Sequence, residues 1–232
     1  MSNILLLETA TQVCSVALVR DGEKLAERNS DEPNAHSSRL AVYINEIFEE
    51  VGGKAGMLDA VCVSSGPGSY TGLRIGVSSA KGLSYALGIP LLAVPTLESM
   101  AMHYYAQHPG YRGMVCPMID ARRMECYTAF YSQEKELRET RAEVIEQGCY
   151  DEWLDKGPVA FIGNGAEKTR PMLSMHPNAV YDSEFVVSAM GMAAIAERKL
   201  RSGEHEDVAY FEPFYLKDFV AKKSVVHGLR GN

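Results

Sequence analysis

The stretch from Thr71 to Gly88 limits the possible fold more than any other. Only Arg74 and Lys81 are charged within it. At 100° per residue these two lie about 20° apart, on one side of a helix. The remainder is apolar or small: Leu73, Ile75, Val77, Leu83, Ala86 and Leu87 among Gly76, Ser78, Ser79, Ala80 and Gly82. A helix that is apolar nearly all round is buried on most sides. Gly72, Gly76, Ala80, Ser84 and Gly88 recur at every fourth position, so a second backbone can approach closely. Interior glycines such as Gly76 and Gly82 each cost about 1 kcal/mol of helix propensity, which close packing has to offset. Two readings follow. The stripe packs within its own lobe, or part of the helix packs on a partner polypeptide.

The loop before this helix, Gly66-Pro67-Gly68-Ser69, feeds a helix N-terminus, whose free N–H groups suit a phosphate or carboxylate. No Gly-Lys-Ser/Thr follows, and the third glycine comes one residue late for Gly-x-Gly-x-x-Gly, so spacing alone makes no nucleotide fingerprint.

The rest of the chain reads as α/β. Strands are expected over residues 4–8, 13–20 and 23–29, with Asp21-Gly22 turning the last pair. A helix follows, because Leu40, Tyr43, Ile44, Ile47, Phe48 and Val51 recur at helical spacing before Gly52-Gly53. Residues 60–63 and 91–94 read as strands, and a helix is expected from Thr96, its N-cap, to about residue 107. His108-Pro109-Gly110 breaks the chain, dividing it into residues 1–108 and 109–232. Strands are expected again over 113–120, 125–131 and 159–162, the last ending in Gly163-Asn164-Gly165, then a helix over 187–200. The whole suggests an α/β structure built twice, and 232 residues suit one large domain or two small lobes.

Charge and cysteine usage exclude several classes. Lys and Arg total 23 against 30 Asp and Glu, a net charge of -7, with no dense basic run to grip nucleic acid unaided. The tail carries Lys217, Lys222, Lys223 and Arg230 against Asp218. It reads as a solvated terminus, with an RNA contact as the alternative. No run approaches the ~18 apolar residues of a membrane span, and no targeting segment is visible. Cysteines number 5, with no Cys-x-x-Cys pair, which suits free thiols in a reducing cytoplasm.

Several motifs together resemble the bacterial TsaB (YeaZ) family. They are Ser65-Gly66-Pro67-Gly68-Ser69-Tyr70-Thr71-Gly72-Leu73-Arg74, Lys81-Gly82-Leu83, Val94-Pro95-Thr96-Leu97, the opening Ile4 to Ala10 with Val13 to Leu18, Ile119 to Tyr127, and Pro213 to Lys217. The stretch from about Tyr131 to Tyr150 carries little of the resemblance. The resemblance implies an actin/hexokinase-like (ASKHA, ribonuclease H-like) fold of two related lobes. It also implies a role in making threonylcarbamoyladenosine beside the tRNA anticodon, as non-catalytic partner of the transferase TsaD, a sibling of the same fold. A TsaE ATPase joins that pair, and tRNA is met only through the complex. The resemblance places the TsaD contact on helices of the first lobe, and alone the chain is expected to form a homodimer through the same surface.

The sibling holds its metal with His-x-x-x-His at the start of a helix. In the same frame this chain has Thr96 and Met100, and a hydroxyl with a thioether does not replace two imidazoles for a hard or borderline divalent ion. No metal site and no catalytic residue are therefore expected. The expected partner surface is Leu40, Ile44 and Ile47 with Leu73, Arg74, Val77, Ala80, Lys81 and Ser84. No cofactor is expected on the chain alone, with a nucleotide possible at the junction with TsaD. A nucleotide-like cleft is outlined by Glu8, Thr9, Gly66, Gly68, Ser69, Asp120, Gly163 and Gly165. In that cleft Glu8 stands where sugar kinases of the fold have a first-strand Asp, one methylene shorter. Two alternatives stay open: a nucleotide-dependent phosphotransferase of the same fold, and a metallopeptidase, as the older glycoprotease label suggests. The histidines do not support the metallopeptidase, since His103 and His108 do not share a helix face and His205-Glu206 lacks the second histidine of His-Glu-x-x-His. Arg122 and Glu125 are expected to pair or to stay solvated.

Overall fold

The computed structural model describes residues 1–32 and 35–217. The tail residues Asp218, Lys222, Lys223 and Arg230 lie outside the described residues.

The first half contains β1 (Asn3–Glu8), β2 (Cys14–Arg20), β3 (Glu23–Ser30), α1 (Ala35–Glu50), β4 (Ala60–Ser64), α2 (Tyr70–Leu87), β5 (Leu91–Val94) and α3 (Thr96–Gln107). The second contains β6 (Met114–Asp120), β7 (Glu125–Tyr131), β8 (Glu136–Val144), α4 (Asp151–Leu154), β9 (Val159–Ile162), α5 (Ala166–Leu173), β10 (Ala179–Tyr181) and α6 (Ala193–Ser202). The two sheets have the strand orders β3-β2-β1-β4-β5 and β10-β9-β6-β7-β8. Reversing the second gives the first strand for strand. In each, the central strand has an antiparallel hairpin on one side and two parallel strands on the other. The structure is built twice.

β1 is a nearly unbroken apolar run because both faces of its sheet are covered. Leu5 and Leu7 join Val16, Leu18, Ile47 and Val77 on the face under α1 and α2. Ile4 and Leu6 join Ala17, Val19, Cys62 and Leu92 on the other face, against Met192, Ala193 and Ile195. That second cover comes from the far half of the chain. In turn α3 from the first half packs through Leu97, Met100, Ala101 and Tyr104 onto Val115, Ile119, Ala160 and Ile162 of the second sheet. The two halves thus exchange their last helices across the break at His108-Pro109-Gly110. The exchanged segments also touch each other: a Cβ on Gly191 would stand 2.3 Å from the carbonyl oxygen of Ser99.

Several elements differ from the sequence expectation. The 187–200 helix is a 3-10 turn (Ala189–Met192) running into α6. Helix α3 begins at Thr96 with Pro95 as its cap, since the Thr96 hydroxyl accepts from the Gly66 N–H at 3.1 Å rather than capping its own helix. Strands β8 and β10 and helices α4 and α5 had no counterpart in the sequence reading. Among the described residues, no helix is long and apolar enough to cross a membrane.

Candidate functional site

The carboxyl ends of β1 and β6 face a cleft of about 940 Å³ between the lobes. The first lobe contributes the β1–β2 turn (Ala10, Thr11, Gln12) and the start of α2 (Gly68, Ser69, Tyr70, Thr71). Opposite stand Asp120, Arg122, Arg123, Glu125, Tyr127 and Asn164, and the C-terminal segment adds Phe214, Tyr215, Leu216 and Lys217.

Helix α2 is positioned by its own glycines. A Cβ on Gly72 would stand 2.1 Å from the Thr9 carbonyl oxygen, and one on Gly76 would stand 2.1 Å from Thr9 Oγ1. Thr9 Oγ1 donates to the Gly72 carbonyl at 2.9 Å. Gly68 is pressed against Ala10, whose carbonyl accepts from the Ser69 N–H at 2.6 Å. Ser69 caps the helix, accepting from the Gly72 N–H, and Gly88 ends it at φ 65. Within the stripe, Gly72 and Gly76 therefore pack inside their own lobe on the β1–β2 turn, Ala80 joins the core beneath α1 and α2, and Gly88 stands open at the helix end.

The expected partner surface needs correcting for the same reason. Leu40, Ile44, Ile47, Leu73, Val77, Ala80 and Ser84 are all buried inside the first lobe, so the apolar side of each helix is its attachment to the sheet. Lys81 is engaged by the chain itself, donating to the carbonyls of Ala209 and Phe211 at 3.2 and 2.9 Å. Of the expected residues Arg74 is exposed, lying over the Tyr70 ring. The outward side of α2 instead presents Thr71, Ser78, Gly82, Tyr85 and Ala86, with Tyr85 83% exposed. Beside it α1 presents Ala41, Val42 and Asn45.

The expected nucleotide-like residues also separate. Gly68, Ser69 and Asp120 line the cleft, and Gly163 lines a smaller adjoining cavity. Glu8 and Thr9 have no exposed surface. Glu8 Oε1 accepts from the Ala10 N–H at 2.6 Å and the Ser64 hydroxyl at 2.9 Å, while its buried Oε2 has no partner. Burial pushes this carboxyl up to about 7 despite those bonds. Gly66 is filled by the chain, with the Phe214 carbonyl oxygen 2.6 Å from where its Cβ would be, and Gly165 packs on Cys126 and β6. These residues hold the cleft's walls in place and do not reach into it.

Asp120 is already occupied. Lys168 Nζ and the Arg122 N–H both donate to its Oδ1. Partial burial raises its carboxyl, but these bonds and charges outweigh that and hold it below the ordinary range. Arg122 and Arg123 have left-handed backbones at φ 73 and 53, and neither has an ion pair among the described residues. Glu125 pairs with Lys217, which also lies over the Tyr127 ring. Thr96 and Met100 are both buried, Thr96 in its bond to Gly66 and Met100 in the core beneath the second sheet. Among the described residues, no group of three or more His, Cys, Asp or Glu is placed to hold a metal ion. The sequence reading missed Gln12, His36, Tyr70 and Phe214 as cleft residues. The Pro213 to Lys217 motif was the signal for the last of these.

Comparison with known proteins agrees with this geometry. Residues 30–225 match the family model described as TsaD: tRNA N6-adenosine threonylcarbamoyltransferase. The chain is 31% identical to the tRNA threonylcarbamoyladenosine biosynthesis protein TsaB of Escherichia coli over 96% of this chain and 97% of that one. YeaZ from Pseudomonas aeruginosa superposes with a TM-score of 0.82 at 28% identity, over 93% of this chain and all of that one. The 2-hydroxyglutaryl-CoA dehydratase component A of Acidaminococcus fermentans superposes at 0.54 with 10% identity over 87% of this chain and 100% of that one, which speaks to the fold alone. With the duplicated sheets, these matches identify an actin/hexokinase-like fold, and the chain belongs to the TsaB (YeaZ) family.

Proposed function

We propose that this chain acts in the formation of threonylcarbamoyladenosine in tRNA as a non-catalytic, activating subunit in the cytoplasm. It pairs as a heterodimer with a TsaD-like transferase of the same fold. A TsaE-like ATPase joins the pair, and tRNA is met through that complex. The observation that carries the reading is the outward side of α2. Thr71, Ser78, Gly82, Tyr85 and Ala86 are exposed there with Arg74 as the single charge, beside Val42 of α1 at 41% exposure. An exposed tyrosine among small residues fits a protein-docking surface, where aromatic anchors are enriched and charges depleted. Without its partner the same face pairs with a second copy.

Two further features support a non-catalytic role. Thr96 and Met100 stand in the frame of the sibling's metal histidines and serve the loop and the core. Glu8, the first-strand acid, is fully buried and bonded to its own loop, so a phosphotransferase reading lacks a carboxylate in the cleft at that position. The proposal assigns no nucleotide to the chain alone, and one that takes part would bind at the junction with the partner. The test combines the cognate TsaD-like and TsaE-like proteins, activated threonylcarbamoyl adduct and tRNA, with and without this chain. Modification that depends on the chain is expected, and equal modification without it overturns the proposal. Calorimetry of the isolated chain with ATP and magnesium is expected to show no binding. Stoichiometric binding would favour the phosphotransferase.

A further inference from the structure

The segment after α6 is fastened at both sides of the cleft. It leaves β5 through a backbone bond from the Glu206 N–H to Leu91. Val208 and Phe211 pack on the core under α1 and α2, and Lys81 holds the carbonyls of Ala209 and Phe211. The Phe214 N–H then donates to the Ser65 carbonyl at 2.7 Å, with the Phe214 carbonyl seated where Gly66 has no side chain. Gly66 sits at φ 109, a conformation that favours glycine. The Tyr215 ring lies 4.9 Å from that of Tyr70, the first residue of α2. Finally Lys217 crosses to the second lobe, where it meets Glu125 and Tyr127.

This arrangement has a mechanical consequence. On one side the lobes are joined by α3 packed on the 189–192 turn, and neither lines the larger cleft. Residues 214–217 form part of the cleft wall itself. We propose that residues 206–217 are a strap that fixes the opening of the interlobe cleft, with the Ser65–Gly66 loop as its socket and the Lys217–Glu125 pair as its point of release. The strap sets the distance between Gly68 and Ser69 on one wall and Asp120 and Arg122 on the other. It also gives the Pro213 to Lys217 motif a role, and it leaves Gly66 as a seat for backbone in place of a phosphate. The two anchors are unequal. The socket uses backbone and buried apolar contacts, whereas the release point is an ion pair with side chains 37% and 26% exposed. A partly exposed pair of this kind shifts an equilibrium up to about fivefold.

Spin labels at Lys54 and Lys135, one on each lobe and both exposed, measure the opening in a Cys149→Ser background diluted with unlabelled chain. The intact strap is expected to give one narrow distance distribution. Lys217→Glu is expected to raise the long-distance population by up to about fivefold, and adding Glu125→Lys is expected to restore the narrow form. A chain ending at Glu212, which keeps Val208 and Phe211, is expected to open further. If that truncation does not fold, the charge reversal and its rescue decide the matter. Distributions for Lys217→Glu and the truncation that superimpose on the parent overturn the proposal, as does a Lys217→Glu change that Glu125→Lys leaves unrepaired.

Discussion

The two lobes have the same strand order and cover it differently. On the first, α1 runs 16 residues and α2 runs 18. At the equivalent places on the second, α4 has 4 residues, and α5 has 8 with Pro171 inside it. The second sheet is closed by aromatic side chains instead. Phe130 lies against Tyr150 and Trp153, and Phe161 lies between Tyr150 and Tyr181. Arg138 is clamped beneath them by Glu143 and Thr128. Short helices plus rings suffice to bury one face of such a sheet. The extra turns of α1 and α2 therefore exceed what the sheet needs, and the outward side of α2 carries a single exposed charge, Arg74. That surplus is the physical basis for reading the first lobe as the docking lobe.

The comparison breaks first where α2 meets β1. Gly76→Ala is expected to cost about 3 kcal/mol or more, since its Cβ would stand 2.1 Å from Thr9 Oγ1. Chemical denaturation measures this, and an unchanged midpoint would mean that α2 is not seated on the β1–β2 turn. In the second lobe, Glu143→Gln is expected to cost about 2 kcal/mol. It leaves Arg138, whose side chain is 12% exposed, without its charge partner.

Glu143 in the second lobe and Glu8 in the first should respond oppositely to pH. Burial raises the Glu143 carboxyl, but bonds from Thr128, Tyr150 and Arg138 outweigh it, so its folded pKa is lowered. Its contribution is present above the unfolded value near 4.5 and is lost as pH falls through the folded one. Glu8 is the reverse, raised from 4.5 to about 7. The folded state binds the extra proton, so stability declines as pH rises from about 4.5 through 7, by about 3 kcal/mol in all. Glu8→Gln is expected to flatten that decline in thermal melts at pH 5 and pH 8, and an equally steep decline would contradict the assignment. The smallest expected effect is Gly82→Ala. Nothing lies within 4 Å of the Cβ it adds, so the free chain is expected to gain about 0.5–1 kcal/mol.

The first lobe was the more legible in sequence because its signals are periodic. Leu40 through Val51 mark one helical face, and Ser69 and Gly88 punctuate α2. Periodicity also misled. An apolar stripe says that a face is covered, without saying by what, and Leu73, Val77 and Ala80 are covered by the chain's own sheet. The charged Arg74 was the better guide to the outward side. Strand β8, Glu-Leu-Arg-Glu-Thr-Arg-Ala-Glu-Val, was missed because an edge strand with one wet face carries charge at most positions. Helix α5 was missed because eight residues with an internal proline have little period to read. The cleft was only half visible. Gly68, Ser69 and Asp120 lie in local motifs, whereas Phe214 and Lys217 reach it only through tertiary packing.

The central claim is that the outward side of α2, free of the core, serves a partner. The direct measurement pairs Ser78→Glu and Tyr85→Ala with the cognate TsaD-like protein, reading affinity by calorimetry and stability by thermal melting. Both residues are exposed, so the melting of the chain is expected to change by less than the equivalent of about 0.5 kcal/mol. Affinity is expected to fall at least about 30-fold, the loss of a central contact worth 2 kcal/mol. Variants that bind the partner as tightly as the parent would contradict the account.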